Sequence, residues 1–295
     1  MASVAYRADV RARRRRLSRK LGAGGPFTYL FLLVVAVASA FPLYWSLVVA
    51  SHDNSAVAAY PPVLTPGHQL WHNLHRLFDS CEVNVDFWTA LANSALVASV
   101  VTAAVVFFSA LAGFAFAKLR FRGRRSLLLA VIGTMLVPVQ LGVIPLYIEM
   151  IHFGWANHLQ AVIAPNLASA FGVFLMRQYI VGSVPDELID AARVDGCYTL
   201  GVFWHVILPA VRPVAAVLGL LTFMTTWNDF FWPLVVLSPR NPTVQVAVSS
   251  LASGYVEDYA LVLTGTFVSI LPLLLVFVFL GRHIIGGIMQ GAVKA

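Results

Sequence analysis

Charge is scarce in this chain: 11% of its 295 residues are charged, against roughly 25% in an average soluble domain. Hydrophobic residues make up 59% of the chain, and they are grouped in runs long enough to cross a bilayer core of about 30 Å. This composition excludes an ordinary soluble globular protein. We predict an all-α, polytopic membrane protein.

The residue patterns of common catalytic sites are also missing. The sequence has no GxxxxGK[ST] phosphate-binding loop, and its histidines have no neighbouring Ser or Cys elbow that would form a nucleophile and base. Cys81 and Cys197 are the only cysteines, and the topology described below separates them across the membrane. We therefore expect no enzyme activity, no catalytic residue and no cofactor bound by this chain.

One predicted outer loop, residues 50–86, contains half of the eight histidines. Carboxylate or thiolate partners at metal-ligand spacing are missing there, so we predict no metal site. An exposed loop that partly enters the interface is favoured, with a docking surface for an external protein as the alternative. The histidines are His52, His68, His72 and His75.

Six apolar runs predict six transmembrane segments. Each should be a helix, because backbone groups that face lipid must be satisfied within their own segment. The runs divide the chain into an N-terminal segment (residues 1–26), a six-helix domain (27–280) and a C-terminal tail (281–295). The six predicted spans are residues 27–49, 91–117, 127–148, 159–176, 214–237 and 260–280.

The basic residues predict the orientation of these spans. All but two of the 20 lysines and arginines, Arg76 and Arg240, fall before the first span, between spans two and three, around the loop at 177–213 or in the tail. Cytoplasmic loops carry such an excess, so both termini and the 177–213 loop are predicted to be cytoplasmic. Topology and contact with anionic lipid explain the net charge of +7 better than nucleic-acid binding does.

The N-terminus allows a second interpretation. Its basic segment, apolar run and Ala38-Ser39-Ala40 fit the pattern of a cleaved signal peptide. The apolar run continues to Val49, however, which gives it the length of a full span and favours a transmembrane helix.

Ionisable residues are scarce inside the predicted spans. Asp229, in the sequence Trp227-Asn228-Asp229, is the one carboxylate well within them, and it should face a cavity, a partner helix or the outer headgroup region. This trio either packs and anchors its helix or, together with Asn93, lines a solute path. Ion-coupled carriers commonly hold proton or ion relays at mid-membrane, and this sequence has neither a relay nor interrupted helices in two matching halves. An ion-coupled secondary carrier is therefore the weaker alternative.

The predicted cytoplasmic loop contains a helix with clear start signals. Ser183 can cap it, and Pro185 suits a first turn because its missing N–H would be unpaired anyway. Asp186 and Glu187 favour the positive end of the helix dipole. We expect this helix to run to about Val194.

A second short helix completes a hairpin. Gly196 permits the left-handed turn that would end the first helix, and residues 199–207 would form the second, with Pro209 as its stop. Helices of about ten residues are marginal alone in water, so tertiary or partner contacts must hold them. Ala191 and Ala192 leave a small-residue face suited to close approach by another surface.

This loop resembles a known motif. Residues 190–196 (DAARVDG), followed by an aromatic residue and Ile207-Leu208-Pro209, are similar to the EAA loop of permease subunits of ATP-binding cassette importers. The chain most resembles the shorter, six-span permease of the maltose-transporter type of carbohydrate importers. Asp190 in place of glutamate and Cys197 in place of alanine depart from the motif. Further matching positions are Asn93-Ser94, Pro138, Pro145, Trp227-Asn228, Pro233, Pro272 and residues 287–294.

The resemblance implies a type I importer permease fold in the inner cell membrane. It implies a second, nonidentical permease, a dimer of cytoplasmic subunits that bind ATP and Mg²⁺, and an extracytoplasmic sugar-binding protein. A sugar or oligosaccharide is the expected solute, and glycerol-phosphate or another polar solute is the alternative.

The resemblance also implies roles for individual residues. The end of the tail would touch the ATPase subunits through Gly291, Ala292, Val293 and Lys294. ATPase coupling would fall to Asp186, Glu187, Asp190, Ala191, Ala192, Asp195 and Gly196.

Overall fold

The computed structural model describes residues 25–57, 60–79, 85–253 and 258–292, and within these ranges the chain is helical and contains no strand. The predicted N-terminal basic cluster, Cys81, Val293 and Lys294 lie outside the described residues. The α-helices are α1 Pro26–Ala50, α2 Asn54–Val57, α3 Leu70–Phe78, α4 Phe87–Lys118, α5 Arg124–Thr134, α6 Val143–His152, α7 Gln160–Ile163, α8 Ala170–Ser183, α9 Asp186–Val194, α10 Thr199–Val202, α11 Leu208–Ala210, α12 Arg212–Trp227, α13 Phe231–Val236, α14 Val244–Leu251 and α15 Tyr259–Ala292.

Three of these helices are long and apolar enough to cross a membrane, and the number reaches six if each of three sharply bent helix pairs counts as one span. The long ones are α1, α4 and α15. Helix α15 continues without interruption to Ala292, so the predicted tail at 281–295 begins as part of the last helix.

The expectation of one helix per span is wrong for the other three. The span at 127–148 bends by 88° between α5 and the segment that begins at Val139, and Pro138 explains the break because it lacks an N–H and its ring clashes with the carbonyl four residues earlier. The span at 214–237 is interrupted between Trp227 and Phe231, and Pro233 lies in the first turn of the helix that follows. The span at 159–176 is irregular at residues 167–169 before α8 begins.

Helix α4 is the centre of the bundle, with α8 and α12 packed against it. Two glycines allow close approach of α4 and α8. A Cβ atom on Gly113 would lie 2.7 Å from Met176 Cβ, and one on Gly172 would lie 2.3 Å from Ser109 Oγ. Small residues at such contacts let helix backbones approach closely in membranes.

The buried core is continuous from these spans into the predicted cytoplasmic loop. Val101 and Val105 of α4 belong to the same buried cluster as Ile189 of α9 and as Phe203 and Ile207 of the segment after α10. The loop is therefore packed on the bundle and does not form a separate unit.

Candidate functional site

The predicted loop forms a hairpin at one end of the bundle, which we call the Asp186–Ala210 hairpin. Its first arm, α9, makes an angle of 82° with the preceding span, and its second arm, Thr199–Ala210, makes an angle of 76° with α12. Both arms therefore lie across the ends of the spanning helices.

The turn between the arms confirms the helix stop predicted at Gly196. This residue has φ +84°, in the left-handed region that glycine adopts without steric cost. Its N–H donates to the Arg193 carbonyl (3.0 Å), and the Cys197 N–H donates to the Ala192 carbonyl (2.9 Å). This is a Schellman motif, and it satisfies two of the carbonyls left open at the end of α9.

The start of the hairpin differs from the prediction. Ser183 is the last residue of α8 and does not cap α9; Pro185 occupies the cap position without a side-chain hydrogen bond. Lys118, at the end of α4, instead donates from Nζ to the Val184 carbonyl and to Asp186 Oδ1, both at 2.6 Å. This hydrogen bond and the charge of Lys118 lower the pKa of Asp186 from its ordinary value.

The second arm continues past the predicted stop at Pro209. A π-helical turn at Phe203–Ile207 connects α10 to α11, which ends at Ala210. Pro209 cannot donate to the carbonyl four residues before it, and the wider turn accommodates its ring. Phe203 and Ile207 are fully buried and fix this arm on the bundle.

The two faces of α9 differ. Ile189 and Ala192 point into the buried core, whereas Ala191 and Asp190 are exposed, so the predicted alanine pair is divided between the inner and outer faces. Exposed apolar side chains also lie at and beside the hairpin turn, and we call them the apolar tip. They are Leu188, Val194, Tyr198 and Leu200, and Val194 is 87% exposed. Exposed apolar side chains of this kind make the hairpin a candidate protein-interaction site.

A cleft of about 800 Å³ lies between the hairpin and the chain that follows α4. Arg120 and Arg124 line it from one side, and Asp190 and Arg193 line it from the other. From the sequence, Arg120 and Arg124 are topology determinants only. The structure brings them beside the predicted coupling residue Asp190, so the 118–124 segment and the hairpin form one surface.

A second candidate site is an open groove of about 430 Å³ on the bundle, between α4, α12 and the irregular stretch before α8. Its walls are apolar at Val101, Val105 and Leu218, among others, and no charged residue from the described part of the chain lines it. Hydroxyl and amide groups nevertheless occur along it. They belong to Asn166, Ser169, Thr222, Thr225 and Thr226.

The sequence prediction for a solute path missed this groove. The available signal was the spacing of Thr222, Thr225 and Thr226, which puts three hydroxyls on one face of an otherwise apolar helix. Asn166 carried no local signal, because it depends on the break that precedes α8.

The predicted path residues lie near the end of the bundle opposite the hairpin, and their surroundings differ from one residue to the next. Asn93 is buried and donates to Asn241 Oδ1 (2.8 Å) and the Pro242 carbonyl (2.9 Å). Trp227 is buried, and its Nε1 donates to the Ser269 carbonyl (3.0 Å). Both side chains hold the fold together. Asn228 is exposed and Asp229 is partly buried, one turn beyond the groove threonines.

Comparison with known proteins identifies the family. Residues 105–285 match the family described as binding-protein-dependent transport system inner membrane component. This range contains the hairpin, the cleft and most of the groove. The chain belongs to this family. The predicted resemblance to permease subunits of ATP-binding cassette importers is thereby confirmed.

Curated relatives of this inner membrane component align over most of its length. The lactose transport system permease protein LacG of Rhizobium radiobacter is 35% identical over 90% of this chain and 95% of the relative. The arabinooligosaccharides transport system permease protein AraQ of Halalkalibacterium halodurans is 31% identical over 85% of this chain and 97% of the relative. The sn-glycerol-3-phosphate transport system permease protein UgpE of Pectobacterium atrosepticum is 31% identical over 90% of this chain and 95% of the relative.

A solved structure confirms the predicted fold of the inner membrane component. A chain of a bacterial ABC transporter involved in the import of the acidic polysaccharide alginate superposes with a TM-score of 0.73 at 22% identity, over 90% of this chain and 97% of that chain. The all-α importer-permease fold is therefore established. The roles assigned to individual hairpin, tail and path residues stay predictions.

Proposed function

We propose that this chain is the permease subunit of an ATP-driven importer and passes a sugar or oligosaccharide delivered by an extracytoplasmic binding protein. The family is one of binding-protein-dependent transport, and relatives are named for lactose and for arabinooligosaccharides. The observation that carries the proposal is the groove between α4 and α12, whose described lining residues are all uncharged. Its hydroxyl and amide groups suit the hydroxyls of a neutral sugar.

The lining of the same groove distinguishes between two classes of solute, neutral sugars and phosphate esters. A relative is named for sn-glycerol-3-phosphate, whose phosphate needs cationic or oriented N–H partners. Neither Lys, Arg nor His lines the groove among the described residues. This absence favours a neutral sugar over a phosphate ester.

The energy would come from a pair of cytoplasmic ATPase subunits that bind the Asp186–Ala210 hairpin. Support comes from the exposed apolar tip and from the core shared with the spans, since Ile189 and Phe203 connect the hairpin rigidly to the bundle. Movement of the hairpin would therefore move the helices. The termini and the hairpin would lie in the cytoplasm, and the end of α15, at Gly291 and Ala292, would approach the same ATPase dimer.

A second permease would cover the bend between α5 and α6. This segment breaks the helical hydrogen-bond ladder within a predicted span, yet its side chains are exposed, with Leu136 at 84%. Irregular backbone at membrane depth is tolerated only where protein covers it or where it lines a water-filled cavity. In the proposed complex, the nonidentical second permease would pack against this bend and cover it.

Transport would proceed by alternating access. ATP-driven closure of the ATPase dimer would draw the hairpins together and turn the bundle from inward-facing to outward-facing, and hydrolysis would reset it. Almost complete switching between two states needs about 5.5 kcal/mol of differential binding. Nucleotide and partner closure can supply it.

The test uses the purified complex in proteoliposomes with its external binding protein. We expect a neutral sugar to stimulate ATP turnover and to be taken up, whereas glycerol-phosphate does neither. Stimulation by glycerol-phosphate alone would contradict the solute class. Uptake driven by a proton or sodium gradient without ATP, together with no ATPase subunit copurifying, would support an ion-coupled carrier instead.

A further inference from the structure

The bundle end opposite the hairpin carries a second cleft, of about 580 Å³. Two tryptophans flank it: Trp71 on α3, which is 81% exposed, and Trp88 at the start of α4, which is 64% exposed. Its volume falls within the range of small-ligand sites, roughly 300 to 1,000 Å³. The lining residues are Trp71, Leu74, His75, Phe78, Asp79 and Trp88.

Helix α3 is fixed firmly by its other face. Asn73 is buried, and its Nδ2 donates to the carbonyls of Ala50 (2.9 Å) and His52 (2.8 Å). Leu77 is fully buried, and Arg76 forms an ion pair with Asp258 at 2.9 Å. These contacts fix the position of the helix that carries Trp71, Leu74, His75 and Phe78 before any ligand arrives.

The cleft wall is aromatic and preformed. The rings of Phe78 and Trp88 stack, with centroids 4.6 Å apart and planes 29° from parallel. This contact supports Trp88 from one side and leaves much of its surface exposed. Two large apolar surfaces therefore frame a space whose rim carries the polar side chains of His75 and Asp79.

This combination matches the chemistry of a saccharide ring. A pyranose or furanose ring has C–H faces that pack on aromatic rings and hydroxyls at its edge that bond to carboxylate and imidazole groups. An anionic lipid headgroup would need Lys or Arg, and the described residues that line the cleft include neither but do include Asp79. Among the described residues no group of three or more His, Cys, Asp or Glu could hold a metal ion.

We propose that this cleft is a saccharide subsite on the outer face of the permease, which binds one ring of the solute through Trp71 and Trp88. The inference rests on the proposed function, because it takes the solute to be a sugar. It lies along α3 and beside the start of α4, and it shares no lining residue with the groove, so it would be a separate binding site for the solute.

The test is saturation-transfer NMR of lactose and arabinotriose on the assembled transporter in phosphatidylcholine nanodiscs without the binding protein. We expect transfer to ring C–H protons of at least one sugar and a five- to tenfold weaker affinity in Trp71→Ala. Trp71→Phe, which keeps an aromatic face, and Tyr60→Ala, an exposed outer aromatic that does not line the cleft, should bind like the parent. Because Trp71 is so exposed, its truncation should not unfold the chain.

Two results would overturn the subsite. One is sugar transfer that is absent or unaffected by Trp71→Ala and Trp88→Ala. The other is strong quenching of the Trp71 and Trp88 fluorescence by brominated phosphatidylcholine, which would show that lipid chains occupy the cleft. If sugar still stimulates ATP turnover in these cases, only the subsite fails. If no sugar stimulates turnover, the proposed function fails first.

Discussion

Lys118 Nζ lies 2.6 Å from Asp186 Oδ1 and 2.6 Å from the Val184 carbonyl oxygen, so the end of helix α4 is tied to the first turn of the hairpin. The lysine side chain is only 9% exposed, whereas that of Asp186 is 79% exposed. These hydrogen bonds connect the central helix of the bundle with the hairpin that is proposed to bind the ATPase subunit. We therefore expect Lys118 to act as a positioning residue for coupling.

Removal of Lys118 should uncouple transport. In Lys118→Met the Val184 carbonyl loses its donor and α9 loses its anchor, so we expect sugar taken up per ATP hydrolysed to fall about tenfold. Asp186→Asn should reduce the same ratio less than twofold, because exposed ion pairs contribute little. Uptake and ATP turnover measured on the same proteoliposomes give this ratio. Equal effects of the two changes would show that the carbonyl bond is unimportant.

The Lys118–Asp186 pair should be insensitive to pH near neutrality. Because the pKa of Asp186 is lowered from 3.8 by Lys118, the pair stabilises the fold above that value and is lost only as the pH falls through the still lower folded-state pKa. The difference in thermal midpoint between the parent and Asp186→Asn should therefore be constant from about pH 5 to pH 8. A difference that changes within this range would disprove the assignment.

The hairpin turn should require glycine. Gly196→Ala forces a side chain into a left-handed conformation at a cost of about 1 to 2 kcal/mol, and Gly196→Val should cost more. Gly182→Ala is the matched control, since Gly182 is exposed in α8 with open space around it and no positive φ. We expect loss of ATPase-subunit copurification in Gly196→Val and normal copurification in Gly182→Ala.

The outer face of α9 can be tested apart from the turn. Ala191 is exposed, so Ala191→Glu should insert and fold normally while it prevents ATPase-subunit binding. Ala192→Glu buries a charge and should destabilise the chain itself. Detergent thermal midpoints and copurification separate the two effects. Normal transport by Ala191→Glu would count against the proposed interface.

The groove threonines should affect solute affinity. Thr225→Val keeps the shape but removes a hydroxyl, so we expect the KM for sugar uptake to rise about three- to tenfold with little change in basal ATP turnover. Thr134→Val is the control, because Thr134 is exposed and also donates to a carbonyl of its own helix. Equal KM values for both variants would remove Thr225 from the solute path.

Local signals in the sequence predicted much of the hairpin. Gly196 and the acidic first turn of α9 act through neighbouring backbone groups, so their effect depends on few distant residues. The Lys118–Asp186 contact could not be predicted in this way, because 68 positions separate the two residues. Only the packing of α4 on α8 brings them together.

The effect of each proline inside the spans also could not be predicted from the local sequence. Pro138 accompanies a sharp break, whereas Pro42 and Pro272 lie within continuous helices. Whether a membrane helix continues through proline depends on neighbouring groups that satisfy the freed backbone, and these belong to the tertiary structure. The groove depends on such a break before α8, so its Asn166 could not be found from local patterns.

The central claim is that the Asp186–Ala210 hairpin is the joint between this chain and an ATPase subunit. A cryo-electron microscopy map of the purified transporter tests it most directly. The account predicts density of a nucleotide-binding subunit against Leu188, Ala191 and Val194. A map of the intact complex in which these side chains face solvent, with the ATPase subunit bound elsewhere or missing, would contradict it.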